Sequence, residues 1–419
     1  MRNVFDQYSQ PENRVTHALM TALNEDRILL SHFLRELLEV NPPTNPRKLL
    51  VLEQQYPGEE EPGEDELERR GIPDGWIFDE ESWCIFIETK VIAKLGSDQI
   101  RRHRRTAENR GFEHIIAVAI APVLPAPLPS GTIPLEWRNV YAWLRRRGSD
   151  SKWAAMAADY LEIAEAKLID TGQFREGTLT MFSGFPFGPD QQFTYLEGKR
   201  VLKLALNELR TRRDLLHRLG INPKSPGRAS ITGRQGDAVW DFLSLSMASD
   251  ESKFTNYPHL TLRVGSQDVR AMVTVPDNVN RVTKQKLKGS GEAGFQALVE
   301  DIVSNLKPLL RNHKGAAPWF RGVQRRWRTQ REAPFVDASI EFDLRTAIPS
   351  GGPPKTQPRW LSAAYGSFVN KEGSNYEFQM GVVFDYVRCP ELRKADAIDL
   401  IASAWCACKP LVDLVRSNV

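Results

Sequence analysis

The stretch Trp83-Cys84-Ile85-Phe86-Ile87-Glu88-Thr89-Lys90 constrains this chain most. Its apolar run reads as a strand buried on both faces, and it ends abruptly in an acid and an amine. Strand side chains alternate between faces, so Glu88 and Lys90 point the same way. Charges at the end of a buried strand are costly unless something pairs with them. Just upstream, Ile72-Pro73-Asp74-Gly75-Trp76-Ile77-Phe78 reads as the neighbouring strand, with residues 79–82 as the turn. A divalent cation held jointly by Asp74 and Glu88 would satisfy the acids. Two carboxylates and a lysine around a hard cation make a site for hydrolysing phosphodiesters.

Asp74 and Glu88 are therefore expected to be metal ligands. Carboxylates suit Mg²⁺, with Mn²⁺ as a substitute, and Thr89 or a neighbouring backbone carbonyl is a further candidate ligand. The competing reading makes Asp74 a turn residue and Glu88 a rim charge. Lys90 is expected beside the attacking water and the scissile phosphate, where it offsets developing negative charge. A plain salt bridge with Glu88 is its alternative role.

The pair Pro73-Asp74, followed by a short hairpin and Glu88-Thr89-Lys90, resembles the PD-(D/E)xK phosphodiesterase superfamily of restriction and repair nucleases. After the lysine, Ser97 and Asp98 read as the cap and first turn of a helix. Gln99 and His103 share a face of that helix. They resemble the Q-x-x-x-Y helix of the RecB-like branch, with His in place of Tyr. Superfamily members often carry an acid in the first helix, and here Glu12 stands in Gln10-Pro11-Glu12-Asn13-Arg14. Glu12 either completes the metal shell or is an acid favoured by the helix dipole. Gln99 either bonds the substrate backbone or supports the acids. The resemblance covers about the first 125 residues. It implies an α/β fold with a restriction-endonuclease-like core, a mixed sheet flanked by helices. It also implies an Mg²⁺-dependent DNA endonuclease of bacterial restriction or phage defence. RNA cleavage would use the same site, and a non-cleaving assembly or sensor protein on the same scaffold is the reading from another class.

At 419 residues the chain is expected to form two domains, residues 1–176 and 177–419. With a net charge of only +3, nucleic-acid contacts must come from local patches. The nearest is Arg101, Arg102, His103, Arg104 and Arg105, on the helix beside the motif. Arg145, Arg146 and Arg147 form a second group. Arg321, Arg325, Arg326, Arg328 and Arg331, interleaved with Trp319, Phe320 and Trp327, form a third. Each run is alternatively a solvated face. The acidic residues 59–66 read as a solvated loop. Cutting both strands of a duplex makes a homodimer or a partner protein plausible, though no interface is legible. Four cysteines at positions 84, 389, 406 and 408 show no zinc-site spacing with histidine. Free thiols and a polar N-terminus lead one to expect a cytoplasmic protein. No apolar run reaches membrane-spanning length, so no membrane partner is expected.

Elsewhere the patterns predict one helix over residues 11–38, a strand over 48–52, a helix over 97–110 and a fully buried strand over 114–121. A proline-rich loop and two helices follow, and then a linker over 177–189. The second half is expected to be α+β, with a mostly antiparallel sheet. Its expected elements are a helix over 195–219, a hairpin over 259–275 and a helix over 292–310. A half-buried strand over 335–344, strands near 360–369 and 375–387, and a closing helix over 394–415 complete it.

Overall fold

The structure is a computed structural model. It describes residues 4–416 except 7, 9, 56, 58–71, 126, 175, 225–226, 228–236, 247–254, 280, 327–334, 347–358 and 370–374. The acidic run at 59–66 and Trp327, Arg328 and Arg331 lie outside the described residues. The chain divides into two compact units, Met1–Met181 and Phe182–Val419.

In the first unit, helices α1 (Pro11–Glu25) and α2 (Arg27–His32) precede strands β1 (Leu50–Glu53), β2 (Gly75–Phe78) and β3 (Trp83–Thr89). Helix α3 (Ser97–Asn109), strands β4 (His114–Ala121) and β5 (Thr132–Glu136), and helices α4 (Trp137–Arg147) and α5 (Lys152–Asp170) follow. The strands form one five-stranded sheet in the order β1-β2-β3-β4-β5. The first two pairings are antiparallel and the last two parallel, so the sheet is mixed.

β3 is buried along its whole length because both faces are covered. Trp83, Ile85 and Ile87 pack with residues of α1, α4 and α5, whereas Cys84 and Phe86 pack with Ile100 and Ala107 of α3. Each such large side chain contributes about 1.5–3 kcal/mol by leaving water. This alternation puts Glu88 on the α3 face and Thr89 on the α1 face. In the parallel neighbour Ala119 lies opposite Glu88, a small residue that leaves room for a carboxylate.

The expected helix over 11–38 is broken. Asp26 adopts an extended backbone, and its carboxylate accepts from the peptide N–H groups of Ile28 and Leu29, starting a second helix. A residue able to cap a helix overrides an unbroken apolar stripe. The first residues of β4 are partly exposed rather than fully buried. The proline-rich stretch holds a strand missed in the sequence, β5, which has β4 as its one neighbour in the sheet, so Pro134 costs no interior ladder bond. The supposed linker is packed, not free. Leu179 and Thr180 are buried, and their N–H groups donate to the buried Glu165 carboxylate of α5. Phe182, Phe185 and Phe187 belong to the core of the second unit.

The second unit is built on a six-stranded antiparallel sheet in the order β10-β9-β11-β8-β7-β6. Its strands are β6 (Ala238–Ser244), β7 (His259–Gly265), β8 (Asp268–Val275), β9 (Ala316–Arg326), β10 (Phe335–Asp343) and β11 (Asn375–Asp385). Helices α6 (Tyr195–Arg210), α7 (Arg281–Gly289), α8 (Gly291–Asn312), α9 (Arg359–Val369), α10 (Ala397–Ala407) and α11 (Lys409–Val415) complete it. The hairpin over 259–275 is present as β7 and β8. β10 is mostly exposed rather than half-buried, because it is the sheet edge. The segment near 360–369 is helix α9 and not a strand, for Leu361, Ala364 and Phe368 follow a helical period. The expected closing helix is two, α10 and α11. The helix expected over 195–219 stops at Arg210, and the turn after it is closed by Gly220 in the left-handed region. No helix among the described residues is long and apolar enough to cross a membrane.

Candidate active site

Asp74 directly precedes β2, and Glu88 and Thr89 end β3. Gly75 pairs with Ile87, which brings Asp74 level with Glu88 across the two strands. The Asp74 carboxylate is fixed by Thr89. Its Oδ2 accepts from the Thr89 N–H at 2.7 Å and from the Thr89 hydroxyl at 3.0 Å. The Thr89 hydroxyl also lies 2.5 Å from that of Thr16 on α1, and Thr16 donates to the Glu12 carbonyl. Thr89, between the two charged residues of the motif, thus ties the site to the first helix.

Glu88 is fully buried. Its Oε1 accepts from the Lys90 ammonium at 2.6 Å. Its Oε2 lies 3.0 Å from His103 Nε2, yet without hydrogen-bond geometry, so this buried oxygen lacks a bonded donor. The Lys90 side chain is only 14 % exposed. Its peptide N–H donates to Ile120, and its carbonyl accepts from the Trp137 indole, so that carbonyl is already engaged.

The charges act on one another. Burial, then the negative charge of Glu88, pushes the Asp74 carboxyl up to about 7, although Lys90 and the bonds from Thr89 pull the other way. Burial alone would lower the Lys90 amine, but Glu88, Asp74 and Glu12 outweigh it and raise the amine above its ordinary value. Lys90 therefore stays an ammonium. A raised Asp binds its proton more tightly in the folded than in the unfolded chain, so its ionisation opposes folding. That penalty is absent below about pH 4, grows as pH rises towards 7 and is complete above it. Asp74→Asn, whose side-chain oxygen can still accept from Thr89, is expected to match the parent near pH 4 in chelator. At pH 8 it should be more stable by about 1–3 kcal/mol, read from denaturant melts.

Glu12 does something other than was expected. Its Oε1 accepts from three consecutive peptide N–H groups, those of Val91, Ile92 and Ala93, at 3.2, 2.9 and 2.8 Å. It braces the loop that leaves the motif instead of joining the two acids. Among the described residues, Glu12, Asp74 and Glu88 do not bring three ligand atoms within 4.8 Å of one another. That loop forms one wall of a cleft of about 590 Å³, lined also by residues 121–125 with Gln173, Phe174 and Glu176.

His103 is a second correction. It is fully buried against Glu88, and its ring meets Phe86 edge-on at 6.0 Å, so it cannot belong to an exposed nucleic-acid surface. Its α3 position, four residues after Gln99, turns it inward; the surrounding arginines hid this in the sequence. Gln99 is half-buried in the first turn of α3. Gly96, not Ser97, caps that helix, and the Ser97 hydroxyl donates to the Pro127 carbonyl.

Arg101, Arg102 and Arg105 remain exposed along α3, with Arg101 2.7 Å from Asp98. Arg104 turns back to the carbonyls of Ile115 and Gly131. In the second basic group Arg145 is spent on Asp159 and Glu162, and Arg147 on Glu36. In the third, Arg321, Arg325 and Arg326 face Glu341, Glu377 and Asp337, and Phe320 is buried. Internal acids thus offset much of the positive charge of both groups.

The chemistry of the donor set suits a hard divalent cation. The two acids lie level on paired strands, one with a buried oxygen lacking a bonded donor; Asp74 is raised first by burial and then by the charge of Glu88, and a cation would relieve the second. No family model, curated protein or solved structure matches the chain. The reading of the site therefore rests on its geometry and on the motif.

Proposed function

We propose that the first unit is a metal-dependent phosphodiester hydrolase of the PD-(D/E)xK kind, acting on DNA as an endonuclease. The observation that carries this reading is the meeting of Asp74, Glu88 and Lys90 at the ends of two paired strands, with the amine 2.6 Å from Glu88. Mg²⁺ or Mn²⁺ held by Asp74 and Glu88 supplies Lewis acidity and an activated water. The protein groups do the remainder. Thr89 holds Asp74 in place through two bonds. Lys90, kept charged by its acidic neighbours, offsets negative charge growing on the phosphate oxygens. Glu12 fixes the loop beside Lys90, and the exposed Arg101, Arg102 and Arg105 offer contacts to backbone phosphates. In this reading the second unit selects the target, partner or trigger, and paired chains cut the two strands. By resemblance, such a protein serves bacterial restriction or phage defence, and its free buried thiols suit the cytoplasm.

The test is incubation of supercoiled plasmid and of a matched RNA with the full chain and Mg²⁺ or Mn²⁺. Divalent-dependent nicking or linearisation, stopped by chelator, supports the reading. Cleavage of the RNA alone would shift the substrate class. If neither polymer is cut and calorimetry finds no cation binding even with DNA present, the unit is a scaffold rather than an enzyme.

A further inference from the structure

We propose that the second unit contains a zinc-class metal site made by His313, Cys389 and Glu391, independent of the proposed nuclease centre. Cys389 and Glu391 are two residues apart, but His313 lies more than seventy residues upstream, so no spacing motif announces the three. One ligand atom from each falls within 4.8 Å of the others. His313 Nδ1 is 3.4 Å from Glu391 Oε1, and Cys389 Sγ is 3.4 Å from Glu391 Oε2. In a tetrahedral site with bonds of about 2.0–2.3 Å, neighbouring ligand atoms stand about 3.3–3.6 Å apart. Both contacts to Glu391 therefore fall at ligand spacing, and since the three atoms lie within 4.8 Å of one another, a turn of the carboxylate onto a single oxygen and a small closure would seat one ion.

The backbone builds this arrangement before any ion arrives. His313 caps the end of α8, and its carbonyl accepts from the Ala316 N–H at the start of β9. β11 pairs with β9 up to Phe384 and Ala316, and the Asp385 N–H donates to the Gly315 carbonyl. The Cys389 N–H then returns to the Asp385 carbonyl, which folds the turn back over the histidine loop. The two segments touch at Gly315. A β-carbon there would lie 2.5 Å from the Arg388 backbone carbon and 2.7 Å from the Cys389 nitrogen, so only glycine allows the approach. Pro390 opens a short 3₁₀ turn that sets Cys389 and Glu391 two residues apart on its inner side. Cys389 is buried, whereas His313 and Glu391 are partly exposed, so an ion can enter from solvent. The His313 Nδ1 atom is itself buried and has no hydrogen-bond partner.

The donor set names the ion. A thiolate with an imidazole and one carboxylate favours Zn²⁺ over the all-oxygen preference of Mg²⁺. Three protein ligands leave a fourth position for water. Cys389 binds as thiolate, and its proton goes to the buffer. Bound there, the ion would pin the turn after β11 to the end of α8.

The experiment uses the full chain, stripped with chelator and titrated with Zn²⁺ and with Co²⁺. One Zn²⁺ per chain and a thiolate-to-cobalt charge-transfer band in the near ultraviolet are expected. That band reports a sulfur ligand, which Asp74 and Glu88 do not supply. Cys389→Ser should abolish the band, and His313→Ala should weaken Zn²⁺ binding by at least about tenfold. Because Cys389→Ser alters a buried position, Glu391→Gln at a half-exposed one keeps the test informative, with the same tenfold or larger loss expected. Absence of the cobalt band, or a band and a Zn²⁺ affinity unchanged in both His313→Ala and Glu391→Gln, would overturn the proposal.

Discussion

Asp74→Ala and Lys90→Ala are each expected to lower Mg²⁺-dependent plasmid cleavage by about 10²–10³-fold or more, with the fold retained. The physical reason differs between them. Asp74 is one of the two carboxylates that would hold the ion, so its loss should also weaken divalent binding measured by calorimetry. In the proposed reaction Lys90 would be a fixed positive charge opposite the place where negative charge grows, so its loss should act mainly on the rate. Lys90→Ala also leaves Glu88 buried without its 2.6 Å partner. That variant is expected to melt at lower temperature in chelator and to recover part of the loss on adding Mg²⁺, because the ion supplies the missing positive charge. Asp74→Ala relieves crowding and should not melt lower for that reason. Full cutting by both variants would remove this site from the reaction. Equal loss with an unfolded circular dichroism spectrum would make the effect structural.

The largest effect on stability is expected at a residue away from the chemistry. Glu165 of α5 is fully buried and accepts from the Leu179 and Thr180 N–H groups and from the Thr180 hydroxyl. Glu165→Ala removes the acceptor of these three buried donors and opens a void. The expected cost is about 3–5 kcal/mol, read as a fall in the denaturation midpoint of the first unit. Glu165→Gln keeps an acceptor and should cost clearly less. A change of under about 1 kcal/mol in Glu165→Ala would mean that water reaches those donors.

What could be read from the residues depended on whether the deciding interaction was local. The strand ending in Glu88-Thr89-Lys90 was legible because an unbroken apolar run must be buried, and the charges at its end then have few places to go. The hairpin around residues 266–267 was legible for the same local reason. His103 was misplaced because a ring surrounded by Arg101, Arg102, Arg104 and Arg105 reads as surface. Its place on the inner face of α3 sets it against Phe86 and Glu88 of another element, which its own neighbours do not reveal. Glu12 was placed near the motif, yet its three N–H partners come from a loop about 80 residues away and leave no trace in its own neighbourhood. The linker reading failed likewise. Gly, Pro and Phe between two domains look like a tether until a distant Glu165 is seen to take up the backbone donors of residues 179 and 180. Helix α9 was misassigned because so short an apolar run gives the two periods little length over which to separate.

The bond between Lys90 and Glu88 has a thermodynamic corollary. An ion that takes the Glu88 oxygen held by Lys90 displaces an ammonium already seated there, so its arrival at that atom is an exchange and not a simple addition. A DNA phosphate offers that ammonium a new counter-charge, which lowers the cost of the exchange. Nucleic acid and divalent cation should therefore strengthen each other's association, and a titration with cation alone would underestimate how firmly the loaded protein grips it.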